Sequence, residues 1–146
     1  MPLHVITDPT DPWCKLIKDD PVRPEIPLEF RVSDTSEIFV LLDDQGEASA
    51  AVCAAYRCSV PSTVIELAAQ PELLPSVAVF YTIWSYKSGA GRKLIVQARK
   101  WMEQHRTNIT EFVTLSPPTE MARTFHLRNG AEVFRINPET VNYLYP

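Results

Sequence analysis

The feature that most restricts the fold lies mid-chain. Residues 76–84, Ser-Val-Ala-Val-Phe-Tyr-Thr-Ile-Trp, form a dense run of β-branched and aromatic side chains. A run without polar alternation reads as a central strand buried on both faces. Tyr86-Lys87-Ser88-Gly89-Ala90-Gly91 breaks it. From residue 92 to 105, Leu94, Ile95, Ala98, Trp101 and Met102 recur at three- and four-residue spacing, the period of an amphipathic helix. Strand, glycine loop and helix in succession point to an α/β domain with a mixed sheet.

The remaining segments fit that plan. Glu37 to Leu42 reads as a strand, Asp43-Asp44-Gln45-Gly46 as a turn, and Ala48 to Tyr56 as the returning strand of a hairpin. Phe112 to Leu115 is a further strand, ended by Ser116-Pro117-Pro118. A second helix starts after Thr119, its N-cap, and Gly130 is its expected left-handed stop. Glu132 to Ile136 and Val141 to Tyr145 pair as a last hairpin. Residues 63–69 read equally as a strand or a helical turn. Six of thirteen prolines fall in the first thirty residues, so that region admits only short pieces. Residues 3–7 read as a strand there, and Asp11-Pro12-Trp13 as the capped start of a short helix ending near Asp19. The expectation is one domain over 1–146, with a short irregular N-terminal region (1–36) and a core (37–145). Its central mixed sheet is flanked by helices.

Composition excludes several classes. Hydrophobic residues make up 45% and charged residues 22%, the balance of a globular protein. A net charge of −4 without a basic block gives no support for a nucleic-acid partner. No apolar run approaches the roughly 20 residues that span a bilayer, and no secretion signal is present, so the expected location is cytoplasmic. The cysteines are Cys14, Cys53 and Cys58; an odd count without CxxC spacing argues against both disulfides and a metal site.

The loop carries the candidate chemistry. The first N–H groups of a helix lack internal partners and sit in positive potential. Gly89 and Gly91 remove side chains from the approach to those donors, and Lys87, Arg92 and Lys93 add charge at the same end. Cations there oppose the helix dipole, which is easier to understand if an anion binds. The alternative is a plain turn between packed elements. The chain has four glycines, and two of them within three residues favour phosphate binding. The loop matches neither G-x-x-x-x-G-K-[ST] nor G-x-G-x-x-G, because Leu94 stands three residues after Gly91.

Residues 86–95, YKSGAGRKLI, resemble the pyrophosphate loop of the GNAT N-acetyltransferases, (Arg/Gln)-x-x-Gly-x-(Gly/Ala) followed by an apolar helix. Residues 122–131, ARTFHLRNGA, resemble the family segment A-x-x-L-Y-x-x-x-G-F. Element order extends the likeness over about 37–145. The resemblance implies a GNAT-like fold and acetyl-CoA as cofactor, its pyrophosphate on Lys87, Ser88, Gly89, Ala90, Gly91 and Arg92. It places the pantetheine arm along the strand that includes Ile83 and Trp84. It implies direct acetyl transfer to a primary amine in a ternary complex.

Tyr86 stands where the family has Arg or Gln, and His126 where it has the tyrosine that protonates the leaving thiolate. A histidine can act as an acid at neutral pH. The alternative for His126 is a partly exposed helix residue; Tyr81 and Tyr86 are substitute acids. Glu66 is the candidate base if residues 63–69 form a strand beside the site, and otherwise a solvated glutamate. A different class of reading is a GNAT-like module without catalysis, serving binding or assembly. Small divergent GNAT-like proteins of bacteriophages, some virion-associated, have a similar look, which would place the chain in host cytoplasm or virion. The C-terminal edge strand offers pairing with a second copy as a homodimer.

Overall fold

A computed structural model describes residues 2–146. Its sheet has seven strands: β1 (Leu3–Ile6), β2 (Ser36–Leu42), β3 (Ala48–Arg57), β4 (Val77–Ser85), β5 (Glu111–Thr114), β6 (Glu132–Ile136) and β7 (Val141–Tyr145). Their order is β1-β2-β3-β4-β5-β7-β6, and β4–β5 is the parallel pair. The helices are α1 (Leu28–Arg31), α2 (Val64–Ala68), α3 (Ala90–His105) and α4 (Glu120–Arg128), preceded by a 3-10 helix over Pro12–Asp19. The structure therefore has the expected mixed sheet with helices on both faces.

Local sequence rules account for the element starts. Asp11 accepts the Trp13 N–H at 2.8 Å with Pro12 at the first helical position. Thr119 accepts the Ala122 N–H at 3.2 Å and starts α4, and Gly130 follows it at φ 95°. Thr63 caps α2 in the same way, accepting from Glu66 at 3.0 Å, so residues 63–69 form a helical turn and not a strand.

Two apolar layers sandwich the sheet. Leu94, Ala98 and Met102 of α3 pack on Phe39, Val52, Ala54 and Phe80. On the opposite face Ile26, Val32 and Leu67 cover Ile38, Cys53, Val79 and Tyr81. A fully buried side chain of this kind contributes about 1.5–3 kcal/mol. The proline-rich N-terminal region is thus half of the second layer, and β1 extends the sheet through β2. Its short pieces are irregular in backbone but buried in packing.

Two irregularities position the site. In the β3–β4 ladder Cys53 faces Thr82 and Ala54 faces Phe80, so Tyr81 is an extra residue in β4. Such a bulge leaves one residue outside the ladder and inverts which side chains face which layer. Before it Val77, Val79 and Tyr81 face the N-terminal layer; after it Trp84 does. Meanwhile β4 runs on to Ser85 while its pairing with β5 ends at Phe80–Thr114. Beyond that point the two strands part.

Candidate functional site

The parting of β4 and β5 opens a cleft of about 330 Å³. One wall is β4 from Phe80 to Ser85; the other is residues 115–117 with Met121, Ala122, Phe125 and His126 of α4. Pro21 and Val22 close one end, and Ile95 of α3 lies within it. Ile83 and Trp84 both line the cleft.

At the open end lies the glycine loop. Gly89 adopts φ 77° as the N-cap of α3, with open space where a Cβ would stand. Only glycine takes that conformation cheaply. Among the described residues, the Tyr86 N–H donates to Ser49 and the Ala90 N–H to Lys87, while no protein acceptor serves Ser88 or Gly89. Gly91 is glycine for another reason. A Cβ there would meet the Phe125 ring at 3.0 Å and Ser85 Oγ at 3.2 Å. It lets α4 close against α3, a packing role that the sequence pattern did not reveal.

Two of the three expected side-chain cations have other surroundings. Lys87 is ion-paired with Asp43 in the β2–β3 turn, and that pairing lowers the Asp43 carboxyl below its ordinary range. Arg92 lies on the flank of α3, in a groove with Arg99, Lys100 and the C-terminal residues Tyr145 and Pro146. Tyr86 donates its hydroxyl to Asp19 at 2.7 Å and accepts from Trp84 Nε1 at 3.0 Å, tying the loop to the N-terminal region.

His126 is in the cleft wall but is not the half-exposed acid that its sequence position implied. It is 4% exposed, and burial pushes its pKa from 6.5 down to about 4. The ring is therefore neutral at pH 7. Nδ1 lies 2.6 Å from the Tyr145 hydroxyl, and the ring stacks on Tyr143 at 5.0 Å. If the phenol donates to Nδ1, the imidazole proton sits on Nε2; in the other tautomer Nδ1–H donates to the phenol oxygen. In both, Nε2 has no protein partner among the described residues.

Two substitutes for catalysis are displaced. Tyr81 sends its side chain into the N-terminal layer, edge-on to Phe30 at 5.5 Å, in phase with Val77 and Val79 on the same strand. Its buried hydroxyl has no hydrogen-bond partner, and burial raises its pKa well above the usual value. Glu66 lies outside the cleft, on the helical turn α2, where it accepts from the Ser62 N–H and hydroxyl. That turn, unlike a strand, cannot join the sheet beside β4.

Sequence reasoning missed the closed end. Asp20 accepts the Val22 and Arg23 N–H groups at 2.8 and 3.1 Å, the Thr82 hydroxyl at 2.8 Å and Arg31 Nη1 at 2.8 Å. Burial opposes its ionisation, but these donors together hold its carboxyl below the ordinary range. Arg23 donates from Nε to the Tyr81 carbonyl and from Nη2 to the Leu115 carbonyl, both at 3.0 Å. Proline spacing had marked this segment as irregular, and nothing in a linear pattern pairs position 23 with 81 and 115.

No family model and no curated protein matches the sequence. Solved structures do match in three dimensions. GCN5 of Tetrahymena aligns over 100% of this chain and 97% of its own, at 14% identity and TM-score 0.62. NAA60 of Arabidopsis thaliana, solved with a bisubstrate analogue, aligns over 99% and 98%, at 13% identity and TM-score 0.64. The chain has the GNAT fold. A malonyl-CoA decarboxylase from Rhodopseudomonas palustris also aligns, over 99% of this chain at 18% identity and TM-score 0.75. The chain spans 59% of that protein's length.

Proposed function

We propose that this chain is an acetyl-CoA-dependent N-acetyltransferase acting on a primary amine by direct transfer. The observation that carries the reading is the apolar cleft running from Ser85, the residue before the glycine loop, to His126 along a strand that has left its neighbour. The free N–H groups of Ser88 and Gly89, with the start of α3, would take the pyrophosphate. Because the Lys87 side chain is paired with Asp43, backbone donors carry that role. The pantetheine arm would follow Ile83 and Trp84, placing the thioester near His126.

His126 acts in this reading as a neutral hydrogen-bond donor. With the Tyr145 hydroxyl donating to Nδ1, Nε2–H is directed by exclusion to the cleft side and stabilises the sulfur as the C–S bond breaks. The amine attacks the thioester carbonyl, the tetrahedral intermediate expels CoA thiolate, and the amine's proton leaves to water. No Asp or Glu lines the cleft, so deprotonation of the amine has no direct side-chain base there.

That same observation favours a second reading, a GNAT-like module that binds acyl-CoA or a protein partner without transfer. Thermal unfolding with and without millimolar acetyl-CoA separates the readings. A ligand at 100 times its Kd adds roughly 2.7 kcal/mol, about 5–11 °C for a domain of this size. Stabilisation plus release of free CoA thiol with an amine panel supports the transferase. Stabilisation without thiol release supports the binding module, and no stabilisation ends both cofactor readings. Malonyl-CoA belongs in the same assay, because formation of acetyl-CoA without free thiol would redirect the chemistry to decarboxylation.

A further inference from the structure

The geometry points to Arg23 as a positioning residue: its guanidinium is the wedge that keeps β4 and β5 apart and so holds the acyl end of the cleft open. This rests on the reading that the cleft takes an acyl-CoA. Two parallel strands ordinarily continue their ladder through alternate residues, so after Phe80 the Leu115 carbonyl would accept the Thr82 N–H. Here the last such bond is Leu115 N–H to the Phe80 carbonyl at 3.1 Å. The next carbonyl on each strand, Tyr81 and Leu115, accepts from Arg23 instead, at 3.0 Å each.

The two carbonyls are free for different reasons. Tyr81 is the extra residue of the bulge, without a partner in β3. Leu115 lies one residue beyond the end of β5. A single planar fork satisfies both, which a lysine ammonium on a flexible stem does less well. The fork itself is fixed. The Arg23 N–H donates to Asp20 at 3.1 Å, and its carbonyl accepts from Arg31 Nη2 at 2.7 Å. Asp20 in turn holds Thr82, so the wedge is anchored to the strand it displaces. Pro21 and Val22, between the two anchors, form the cleft's closed end. The N-terminal segment thereby fixes both the width of the cleft and its depth, which favours a short acyl group.

The test compares wild type with Arg23→Ala and Arg23→Lys, by acetyl-CoA affinity and by hydrogen exchange without ligand. Arg23→Ala is expected to weaken acetyl-CoA by about tenfold or more, the scale of losing hydrogen bonds from a charged donor. Millimolar guanidinium should restore much of that loss, while equal sodium chloride should not. Arg23→Lys, which is the safer variant for folding, should bind more weakly than wild type and gain little from guanidinium. Without ligand, exchange should change over residues 82–85 and 115–116 in Arg23→Ala and stay constant over β2 and β3. Wild-type affinity in both variants, or a loss in Arg23→Ala that guanidinium does not repair, overturns the wedge. If wild type binds no acetyl-CoA, the cofactor reading fails by itself. The exchange data then decide: altered rates confined to those residues uphold the wedge, and unchanged rates sink it.

Discussion

The two ends of the cleft are built on opposite principles. The glycine-loop end is contiguous in sequence, exposed, and made of backbone: the four residues between β4 and α3, with the first turn of α3, supply its donors. The closed end draws on Asp20, Arg23, Arg31, Thr82 and Leu115, and its charges are buried. An exposed loop end can be disturbed at little cost to the fold, because water substitutes for what is lost. A buried charge network has no substitute, so disturbing it unfolds the layer that it holds. The difference teaches that the loop end can be altered without reaching the acyl end, whereas a change at the acyl end reaches both the fold and the cofactor.

The comparison breaks first at the buried pair. Arg31 is fully buried and bonds Asp20 at 2.8 Å, so Arg31→Met strands a carboxylate in the core. The expected loss is about 3–5 kcal/mol, read from urea denaturation. A loss comparable to that of a surface pair would mean that the N-terminal layer is held by its apolar contacts alone.

His126 gives the next largest effect, through pH. Its folded pKa of about 4 lies below the unfolded 6.5, so the unfolded chain binds more protons between those values. Stability is fully present above pH 6.5 and falls as the pH drops toward 4. This group accounts for about 3 kcal/mol of that fall. Because carboxylates such as Asp20 also lose stability in acid, the measurement is a difference: His126→Gln should show a shallower slope than wild type from pH 6.5 to 4. Equal slopes would place the ring in water rather than against Tyr143 and Tyr145.

The loop end sharpens the comparison with two smaller effects. Gly91→Ala forces a Cβ against Phe125 and should cost about 1–3 kcal/mol, with Phe125→Leu in the same chain recovering part of it. Gly89→Ala meets no atom but must hold φ 77°, and should cost about 1 kcal/mol with no relief from Phe125→Leu. Recovery in both double variants, or in neither, would show that the two glycines serve one purpose and not two.

Where the physics was local, the sequence was readable. The β4-loop-α3 succession, the caps at Asp11 and Thr119 and the stop at Gly130 follow from neighbours within a few residues, and all stand in the structure. The loop's place was legible for the same reason. What local pattern did not reach was the surroundings of side chains: Lys87 pairs with Asp43, and Arg92 lies beside the C-terminus. Each depends on a partner distant in sequence or on a register that local pattern does not set. The pKa of His126 is of that kind as well, since a helix position says nothing of the burial that lowers it.

By itself the sequence determined the order of strands and helices, the buried central strand and the glycine turn at the start of α3. Propensity, periodicity and capping act over one or two turns, and a single chain records them. Only the tertiary structure decided the functional end. The bulge at Tyr81 inverts the alternation of β4, and the parting of β4 from β5 frees two carbonyls. A segment 58 residues before Tyr81 and 92 before Leu115 then supplies one guanidinium to both. Hydrogen bonds across such separations form only when the sheet has assembled, because it is the assembled sheet that brings the carbonyls to one place.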